Sequence, residues 1–386
     1  MASSPPRPLV AFARCTAYEP APVRAAAEAL LDALGGLGTF VKRGDRVLLK
    51  PNLLAAHAPE RAVTTHPAVV RAVAELVRDC GGRVLVGDSP GYGSFQRVAR
   101  ATGMEEAVRA VGGELVEFTL PEKSTRPGDL FQALDLAQEL STFDVHINLP
   151  KFKTHALAVL TLGVKNCFGT VVGPRKLQWH YRAGHNRGLF ARMLVEVFRL
   201  AAPDLTLIDA VVGMEGQGPS SGRPRPLGFL AASADCLALE AACARVAGLE
   251  PLELPVLAAA QGKDSDAWLA PAYAGLPLEA VRAEDFALAD GRPFHEMGPR
   301  FLVPLLRRLL VAEPVPARAR CTGCGVCAEI CPARAIALSE RFPRIDRKTC
   351  IRCYCCHELC PEHAMGLSRP LPARLLERLG RKRPAR

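Results

Sequence analysis

The chain has 386 residues, which is enough for two or three domains. Hydrophobic residues make up 49% and charged residues 23%, a balance that excludes wholesale disorder, and no apolar run approaches the roughly 18 residues of a membrane span. The net charge is +10, and most of the excess lies in residues 318–369 (nine basic, five acidic) and 370–386 (six basic, one acidic). Because the excess is confined to one end and the chain begins with no secretion signal, we expect a cytoplasmic protein that binds neither nucleic acid nor membrane.

Residues 8–312 alternate between short apolar strands and amphipathic helices. The predicted strands are Leu9–Ala13, Arg46–Lys50, Arg83–Val86, Glu114–Phe118, Asp144–Leu149 and Leu205–Ile208. The predicted helices are Val23–Leu34, Pro67–Cys80, Phe95–Ala101, Met104–Val111, Asn186–Leu200 and Cys236–Val246. This alternation indicates an α/β domain with a mainly parallel, covered sheet. In such sheets ligands bind at the carboxyl ends of the strands.

Basic residues, amides and glycines follow these strands, a composition that suits an anionic small molecule such as a phosphate or a carboxylate. The predicted substrate-binding residues are Lys50, Asn52, His66, Asp88, Ser89, Lys151, Lys165, Asn166, Lys176 and Glu215. We predict catalytic roles for Lys153, His155 and Asp209, because lysines among carboxylates stay charged and a histidine can move a proton. The alternatives are a solvated loop for residues 151–155 and a plain helix start for His66. We expect the strand ends to converge on a pocket that opens toward the C-terminal part.

The segment Gly87–Gly91 has the Gly-x-Ser-x-Gly spacing of a hydrolase nucleophile elbow. The residue after that serine must donate its backbone N–H to an oxyanion, and Pro90 has no N–H. We therefore interpret the segment as a tight turn ahead of a helix, which either binds an anion or is purely structural. No dinucleotide fingerprint or P-loop motif occurs, so NAD and ATP binding lack support. We expect the scattered cysteines to pack as small hydrophobic residues. The alternative is a functional Cys167, because Lys165, two residues away, could lower its thiol pKa.

These motifs resemble those of the family catalogued as domain of unknown function 362 (DUF362), whose members are often fused to ferredoxin modules. The matching segments are Lys50–Leu54, Thr65–Pro67, Gly87–Gly91, Asn148–His155, Leu162–Gly169 and Gly213–Pro219. The resemblance spans the chain from Pro8 to Met297. The resemblance implies the domain layout. It implies no activity, because the family has no settled reaction.

Residues 313–317 contain two prolines and are a predicted linker, and nine of the fourteen cysteines follow between Cys321 and Cys360. These cysteines form two runs. The first run is Cys321-x2-Cys324-x2-Cys327-x3-Cys331-Pro332, and the second run is Cys350-x2-Cys353-x2-Cys356-x3-Cys360-Pro361. The second run repeats the first at an offset of 29 residues, and each matches the bacterial ferredoxin pattern.

In this pattern, three thiolates of one run bind one cube and the fourth cysteine ligates the other. We therefore predict two [4Fe–4S] clusters, one held by Cys321, Cys324, Cys327 and Cys360 and the other by Cys350, Cys353, Cys356 and Cys331. Paired zinc sites are the alternative, although zinc does not require two such runs in register. Cys355 corresponds to Val326 in the repeat, which marks it as a non-ligand. Residues 318–369 thus resemble a small α+β two-cluster ferredoxin domain.

The two parts together predict an iron–sulfur oxidoreductase that passes single electrons between its clusters and an anionic substrate. The alternative is a non-catalytic electron-transfer or scaffold protein whose N-terminal domain binds a partner. A redox partner protein is expected in either case, and the basic residues 370–386 would at most steer an acidic partner. A closed pocket in which strand-end lysines converge near a cluster would favour the enzyme.

Overall fold

The computed structural model describes residues 7–368 except positions 125, 127–128, 132–133, 174–175, 177–178, 180–186, 263–265, 290–312, 332, 351 and 353. The predicted ligand Cys353 and the basic residues 370–386 therefore lie outside the described residues.

Ten strands of the described part of the chain form one central sheet, with a smaller pair beside it. In chain order, the strands up to residue 275 are β1 (Leu9–Arg14), β2 (Arg46–Pro51), β3 (Arg83–Asp88), β4 (Glu114–Glu117), β5 (Pro121–Ser124), β6 (Leu134–Ala137), β7 (Val145–Leu149), β8 (Lys151–His155), β9 (Val159–Thr161), β10 (Leu205–Glu215), β11 (Arg223–Ser233) and β12 (Ala272–Gly275). The sheet order is β12-β1-β11-β10-β7-β2-β3-β4, with β8 beside β10 and β9 beside β8, while β5 pairs with β6 alone.

The strand directions confirm the predicted fold class. The pairs β1–β12, β7–β10, β2–β7, β2–β3 and β3–β4 are parallel, whereas β11 runs antiparallel to both β1 and β10. The inner strands β2, β3 and β7 are buried along nearly their whole length. Burial on both faces explains why their sequences are continuous apolar runs rather than alternating ones.

Helices cover both faces of this sheet. They are α1 (Pro20–Ala33), α2 (Pro67–Asp79), α3 (Phe95–Ala101), α4 (Met104–Ala110), α5 (Gly163–Asn166), α6 (Arg187–Ala201), α7 (Cys236–Val246) and α8 (Pro255–Ala260). The first four pack into one apolar core, and α6, α7 and α8 pack into the other. Within the described ranges, no helix combines the length and apolarity needed to cross a membrane.

The cysteine-rich C-terminal unit consists of short paired elements. These are β13 (Glu313–Pro316), α9 (Val326–Glu329), β14 (Ile336–Ser339), β15 (Phe342–Ile345), α10 (Cys355–Glu358) and β16 (Met365–Ser368). The pairs β13–β16 and β14–β15 are antiparallel. Since α9 and α10 begin 29 residues apart, the sequence repeat is also a structural repeat.

Most of the predicted linker, residues 313–317, forms the strand β13. Glu313–Pro316 pairs with Met365–Ser368, so these residues belong to the C-terminal unit rather than spanning free space. The two prolines fit because a strand paired on one side needs only some of its N–H groups. The remaining domain boundaries stay predictions.

Two strands differ from their predicted bounds in a way that matters for the site. The strand expected to end at Ile208 continues to Glu215, because β11 pairs with it over that whole length. Lys151–His155, expected as a loop after a strand, is itself the buried strand β8. Asp209 and Lys151 therefore lie opposite each other inside the sheet, and not at its edge.

Candidate functional site

A cavity lies where the ends of β2 and β3 meet the C-terminal unit. The sheet side contributes the polar residues Asn52, Asp88, Ser89, Lys165, Asn166 and Lys176, and the C-terminal unit contributes Cys355 and Leu359. We call this space the interface cavity.

Asp88, the last residue of β3, lies in one wall of the interface cavity and binds two neighbouring residues there. Its Oδ1 lies 2.9 Å from the Nζ of the fully buried Lys50, and its Oδ2 accepts the Leu53 N–H at 2.8 Å. Gly169 packs so closely that any Cβ there would overlap the Asp88 carboxylate and the Lys50 ammonium group. The charges of Lys50 and Asp88 thus balance each other, and the close packing holds them in place.

Lys176 and Ser89 form the adjoining wall. The Lys176 ammonium donates to the carbonyls of Ser89 and of Pro90, the latter at 3.4 Å. Burial lowers the pKa of Lys176 to about 7, against the attraction of Asp88. The nearby cations Lys50 and Lys165 lower this pKa further. Lys176 therefore lies close to the midpoint of its titration near neutral pH, and an arriving anion would favour its charged form.

A chain of amides leads into the interface cavity from a buried lysine. Lys153 Nζ donates to Asn52 Oδ1 at 2.7 Å and to the Val63 carbonyl. Asn52 Nδ2 donates to Asn166 Oδ1 at 3.0 Å, and Asn166 Nδ2 donates to Asn148 Oδ1 at 2.8 Å. Because an ammonium group can only donate, Lys153 sets the orientation of both cavity amides.

Lys151 and Asp209, predicted to face the pocket, form a separate buried group with Tyr18. Lys151 Nζ lies 2.8 Å from Asp209 Oδ2 and donates to the Tyr18 hydroxyl at 2.7 Å, while that hydroxyl donates to Asp209 Oδ1 at 2.9 Å. Burial lowers the pKa of Lys151, and the attraction of Asp209 opposes this shift. The pKa of Tyr18 is raised by burial and by the negative charge of Asp209. We call these three residues the Lys151 group. It does not line the interface cavity.

His66 acts at the start of α2. Its Nδ1 accepts the Ala68 N–H at 3.2 Å, which caps the helix, and its ring stacks on Tyr18 with centroids 3.6 Å apart. Burial lowers its pKa to about 4. His66 lines a separate surface hollow together with Arg71 and Glu106, so the structure does not bring it to the interface cavity.

His155 and Glu215 also lie elsewhere. The His155 Nδ1 accepts the N–H groups of Leu157 and Ala158, each at 3.0 Å, and so closes the turn after β8. Glu215 accepts hydrogen bonds from Arg223 Nε at 2.8 Å and from the Ala287 N–H at 3.1 Å. The catalytic roles of Lys153, His155 and Asp209 stay predictions, and none of the three lines the interface cavity.

A second, smaller cavity lies inside the C-terminal unit. Its lining includes Cys321, Cys324, Cys327 and Cys360, the set predicted for the first cluster. Burial raises the pKa of Cys327 to about 11, and the three neighbouring cysteines add to the shift. The thiols are therefore close enough to oppose one another's ionisation, a repulsion that bound iron would relieve.

The fourth cysteines of the two runs have matching surroundings. The Ala335 N–H donates to Cys331 Sγ and the Ala364 N–H to Cys360 Sγ, both at 3.2 Å. Cys331 and Cys356 of the other predicted ligand set pack in one apolar cluster. Among the described residues, no three His, Cys, Asp or Glu side chains lie close enough together to hold one metal ion. Cysteine thiolates are the ligands that hold [4Fe–4S] clusters in proteins.

The C-terminal unit docks on the turn after β3. Leu54 and Tyr92 pack against Val326 and Ile330 of the first run and against Cys355 and Leu359 of the second. Gly91 allows the close approach, because a Cβ there would lie 3.0 Å from Leu359. This packing closes one side of the interface cavity.

Histidines form a further contact between the two parts. The rings of His57 and His363 stack with centroids 5.3 Å apart, and His363 Nδ1 lies 3.0 Å from Ser221 Oγ. Burial lowers the pKa of both histidines, that of His363 to about 4. Neutral rings can stack here without repelling each other.

Sequence reasoning missed several residues of the interface cavity, among them Phe168, Gly169 and Leu359. Leu359 corresponds to Ile330 in the repeat. An apolar residue at this position of both runs could have predicted a docking surface. Cys167 packs inside the core, as expected for the scattered cysteines, and the alternative of a lowered thiol pKa is wrong, because burial raises that pKa to about 12.

A covered, mainly parallel sheet with a docked, cysteine-rich unit of the ferredoxin type defines an iron–sulfur protein. The family model Domain of unknown function (DUF362) matches residues 47–245, and the 4Fe-4S binding domain model matches residues 315–337. The chain belongs to the DUF362 family and carries a 4Fe-4S binding domain.

Known proteins similar to this chain include a sequence relative and a solved structure. Thylakoid-associated protein sll1697 from Synechocystis sp. is 44% identical over 250 residues, which cover 65% of this chain and 78% of the relative. The lactate racemase apoprotein from Thermoanaerobacterium thermosaccharolyticum matches with a TM-score of 0.42 and 14% identity. That match covers 63% of this chain and spans 57% of the racemase chain.

Proposed function

We propose that the protein is an oxidoreductase that passes single electrons between two [4Fe–4S] clusters and an anionic small molecule in the interface cavity. One observation carries the proposal: two lysines of the α/β part and the C-terminal unit line the same cavity. Lys165 and Lys176 lie on the sheet side, and Cys355, which directly precedes the predicted ligand Cys356, lies on the other.

The charge of the cavity wall supports an anionic ligand. Lys50 and Asp88 form an ion pair, and two further lysines, Lys165 and Lys176, line this wall. Ser89, Asn52 and Asn166 add hydrogen-bonding groups that can orient a carboxylate or phosphate. Lys176 would take up a proton as the anion enters, because a negative charge raises a pKa that burial has lowered.

The C-terminal unit supports the redox part of the proposal. Leu359 and Leu54 shield the cavity from solvent on that side, and a bound molecule would lie against Cys355. The clusters would supply single-electron transfer, for which the described residues of the chain offer no other group. Two clusters are proposed because both runs carry a complete ligand set and repeat the same N–H to sulfur hydrogen bond.

Small-molecule extraction tests the ligand. Protein purified without oxygen should release an anionic molecule detectable by mass spectrometry, and a Lys165→Ala/Lys176→Met variant should release at least about tenfold less. The matched control is Lys42→Ala/Lys348→Ala, which removes two exposed cations elsewhere. Equal retention by both variants would contradict the cavity assignment. Cluster-loaded protein that never carries or binds an anion would favour the electron-carrier alternative.

Iron analysis tests the cluster count. Reconstituted protein should bind about eight irons, four for each cube. Cys331→Ala should disturb the cluster bound mainly by the second run, because the ligands cross over. About four irons in the wild type, stoichiometric zinc, or EPR loss of the first-run cluster alone in Cys331→Ala would each contradict this arrangement.

A further inference from the structure

The two halves of the C-terminal unit face different surroundings. Cys355 and Leu359, both in the second run, wall the interface cavity, and among the described residues no member of the first run does so. Cys355 is 2% exposed and Cys356 is 7% exposed. The second run is therefore the half turned toward the ligand.

The first run is partly exposed: Val326 and Ile330 pack against Leu54 and Tyr92 of the N-terminal part, whereas the edge that carries Cys324 is exposed. The cavity enclosed by its three cysteines and Cys360 is lined, among the described residues, only by the C-terminal unit itself. Cys324 is exposed. Leu338, 44% exposed, lies beside the same loop, 3.5 Å from the position that a Cβ on Gly325 would occupy. A cysteine edge next to an exposed leucine is the kind of surface on which a redox partner can approach a cluster closely.

Arginines flank this exposed edge. Arg341 donates to the Thr322 carbonyl at 3.5 Å, and the Arg318 guanidinium lies 4.6 Å from the centroid of the Phe342 ring. Residues 318–344 carry five arginines and two glutamates. Among the described residues, neither Arg318 nor Arg341 forms a salt bridge.

The arginines of the other half are already engaged. Arg347 and Arg352 each lie 2.6 Å from the Glu313 carboxylate. Positive charge that attracts a partner is therefore concentrated beside the first run. Such a patch speeds the encounter with an acidic protein and helps to orient it.

We propose that the surface around Cys324, flanked by Arg318, Arg341 and Leu338, docks an acidic one-electron carrier protein, while the second run serves the interface cavity. This division of labour rests on the proposed function. Each transfer moves one electron, so the carrier is oxidised as this protein is reduced, or the reverse.

The charge of the docking surface provides the first test. An Arg318→Glu/Arg341→Glu variant with full iron content is titrated with an acidic [2Fe–2S] ferredoxin at low salt. We expect binding at least about tenfold weaker than the wild type, with the difference shrinking at high salt. The control Arg83→Glu/Arg109→Glu makes the same change of net charge at exposed sites on the N-terminal part. Its binding should stay within about twofold of the wild type.

Two outcomes would overturn the docking surface. One is equal weakening in both double variants, which would mean that only net charge matters. The other is unchanged ferredoxin binding together with loss of DNA or anionic-vesicle binding in the Arg318→Glu/Arg341→Glu variant, which would assign the patch to another partner.

Redox titration tests the orientation of the two halves without any ligand. Lys165→Glu adds negative charge at the interface cavity, and Arg341→Glu adds it at the outer edge. Negative charge lowers the potential of the nearer cluster, so the two variants should each lower a different midpoint. A shift of the same midpoint by both would refute the division. If the two variants lower different midpoint potentials but the protein binds no anion, the result would contradict only the proposed function and not the division between the two halves.

Discussion

The Lys151 group and the interface cavity both place lysines among acidic and polar side chains of one sheet, yet they differ in what the lysines face. In the Lys151 group, the ammonium, the carboxylate and the tyrosine hydroxyl satisfy one another at 2.7–2.9 Å. At the interface cavity, Lys165 and Lys176 line the space between the sheet and the C-terminal unit. Similar residue types therefore form an internal brace in one place and line a cavity in the other.

The difference follows from strand pairing. Lys151 lies opposite Asp209 in the β8–β10 register, so their side chains emerge together in the sheet interior. Lys165 lies on the short helix α5, beyond the strand ends, and is only partly buried. Substitutions should consequently affect stability most in the Lys151 group and ligand binding most at the cavity.

The largest expected effect comes from Lys151→Met. The change leaves the Asp209 carboxylate buried without its cation, which should cost about 3–5 kcal/mol of unfolding free energy, measured by urea denaturation. The double variant Lys151→Met/Asp209→Leu should recover much of the loss, because neither charge is then stranded. A single-variant loss below about 1 kcal/mol would show that the group is no brace.

Gly169→Ala should have the next largest effect. The added methyl group must push apart Lys50 and Asp88, which should cost about 1–3 kcal/mol and reduce anion binding at the same time. The matched control is Gly38→Ala, where a Cβ meets nothing within 4 Å. Equal stability of the two variants in thermal unfolding would contradict the tight packing of this wall.

The pH dependence of stability should report on Lys176. Its pKa is 10.5 in an ordinary lysine and about 7 in the folded protein, so between these values the unfolded chain binds more protons. Lys176 therefore makes wild-type stability rise with pH across that window. Lys176→Met should remove this rise, and its advantage over the wild type should be largest near pH 7 and fade toward pH 10. Parallel stability curves for the two proteins would argue against a buried Lys176.

The smallest expected change in stability comes from Lys165→Ala. Lys165 Nζ lies 5.0 Å from the centroid of the Phe168 ring, an interaction worth about 0.5–1 kcal/mol near the surface. The same variant should lose most of its bound anion, as measured by extraction and mass spectrometry. A stability loss as large as that of Lys151→Met would erase the distinction between the two regions.

Local patterns predicted much of the fold. The helices Phe95–Ala101 and Cys236–Val246 have the bounds that their periodicity indicates. The strand Arg223–Ser233 was not predicted, because two prolines and a glycine interrupt its apolar pattern. Without that partner strand, the extension of β10 past Ile208 could not be foreseen, and Asp209 was placed at a strand end.

The site was predicted only in part for the same reason. Asn52, Asp88, Ser89, Lys165, Asn166 and Lys176 do line one cavity, since they follow strands or belong to segments that cross the sheet edge. Lys151, Asp209 and Glu215 have equally polar sequence surroundings, but long-range pairing buries each with its own counter-charge.

The sequence by itself determined the cysteine repeat and the alternation of strands and helices, because ligand spacing and apolar periodicity are properties of neighbouring residues. Only the tertiary structure decided which charges neutralise one another and which face a cavity. It also decided that Leu359 and Cys355, more than 260 residues after Asp88, close that cavity. Such contacts depend on strand register and on docking between distant segments, which no local pattern encodes.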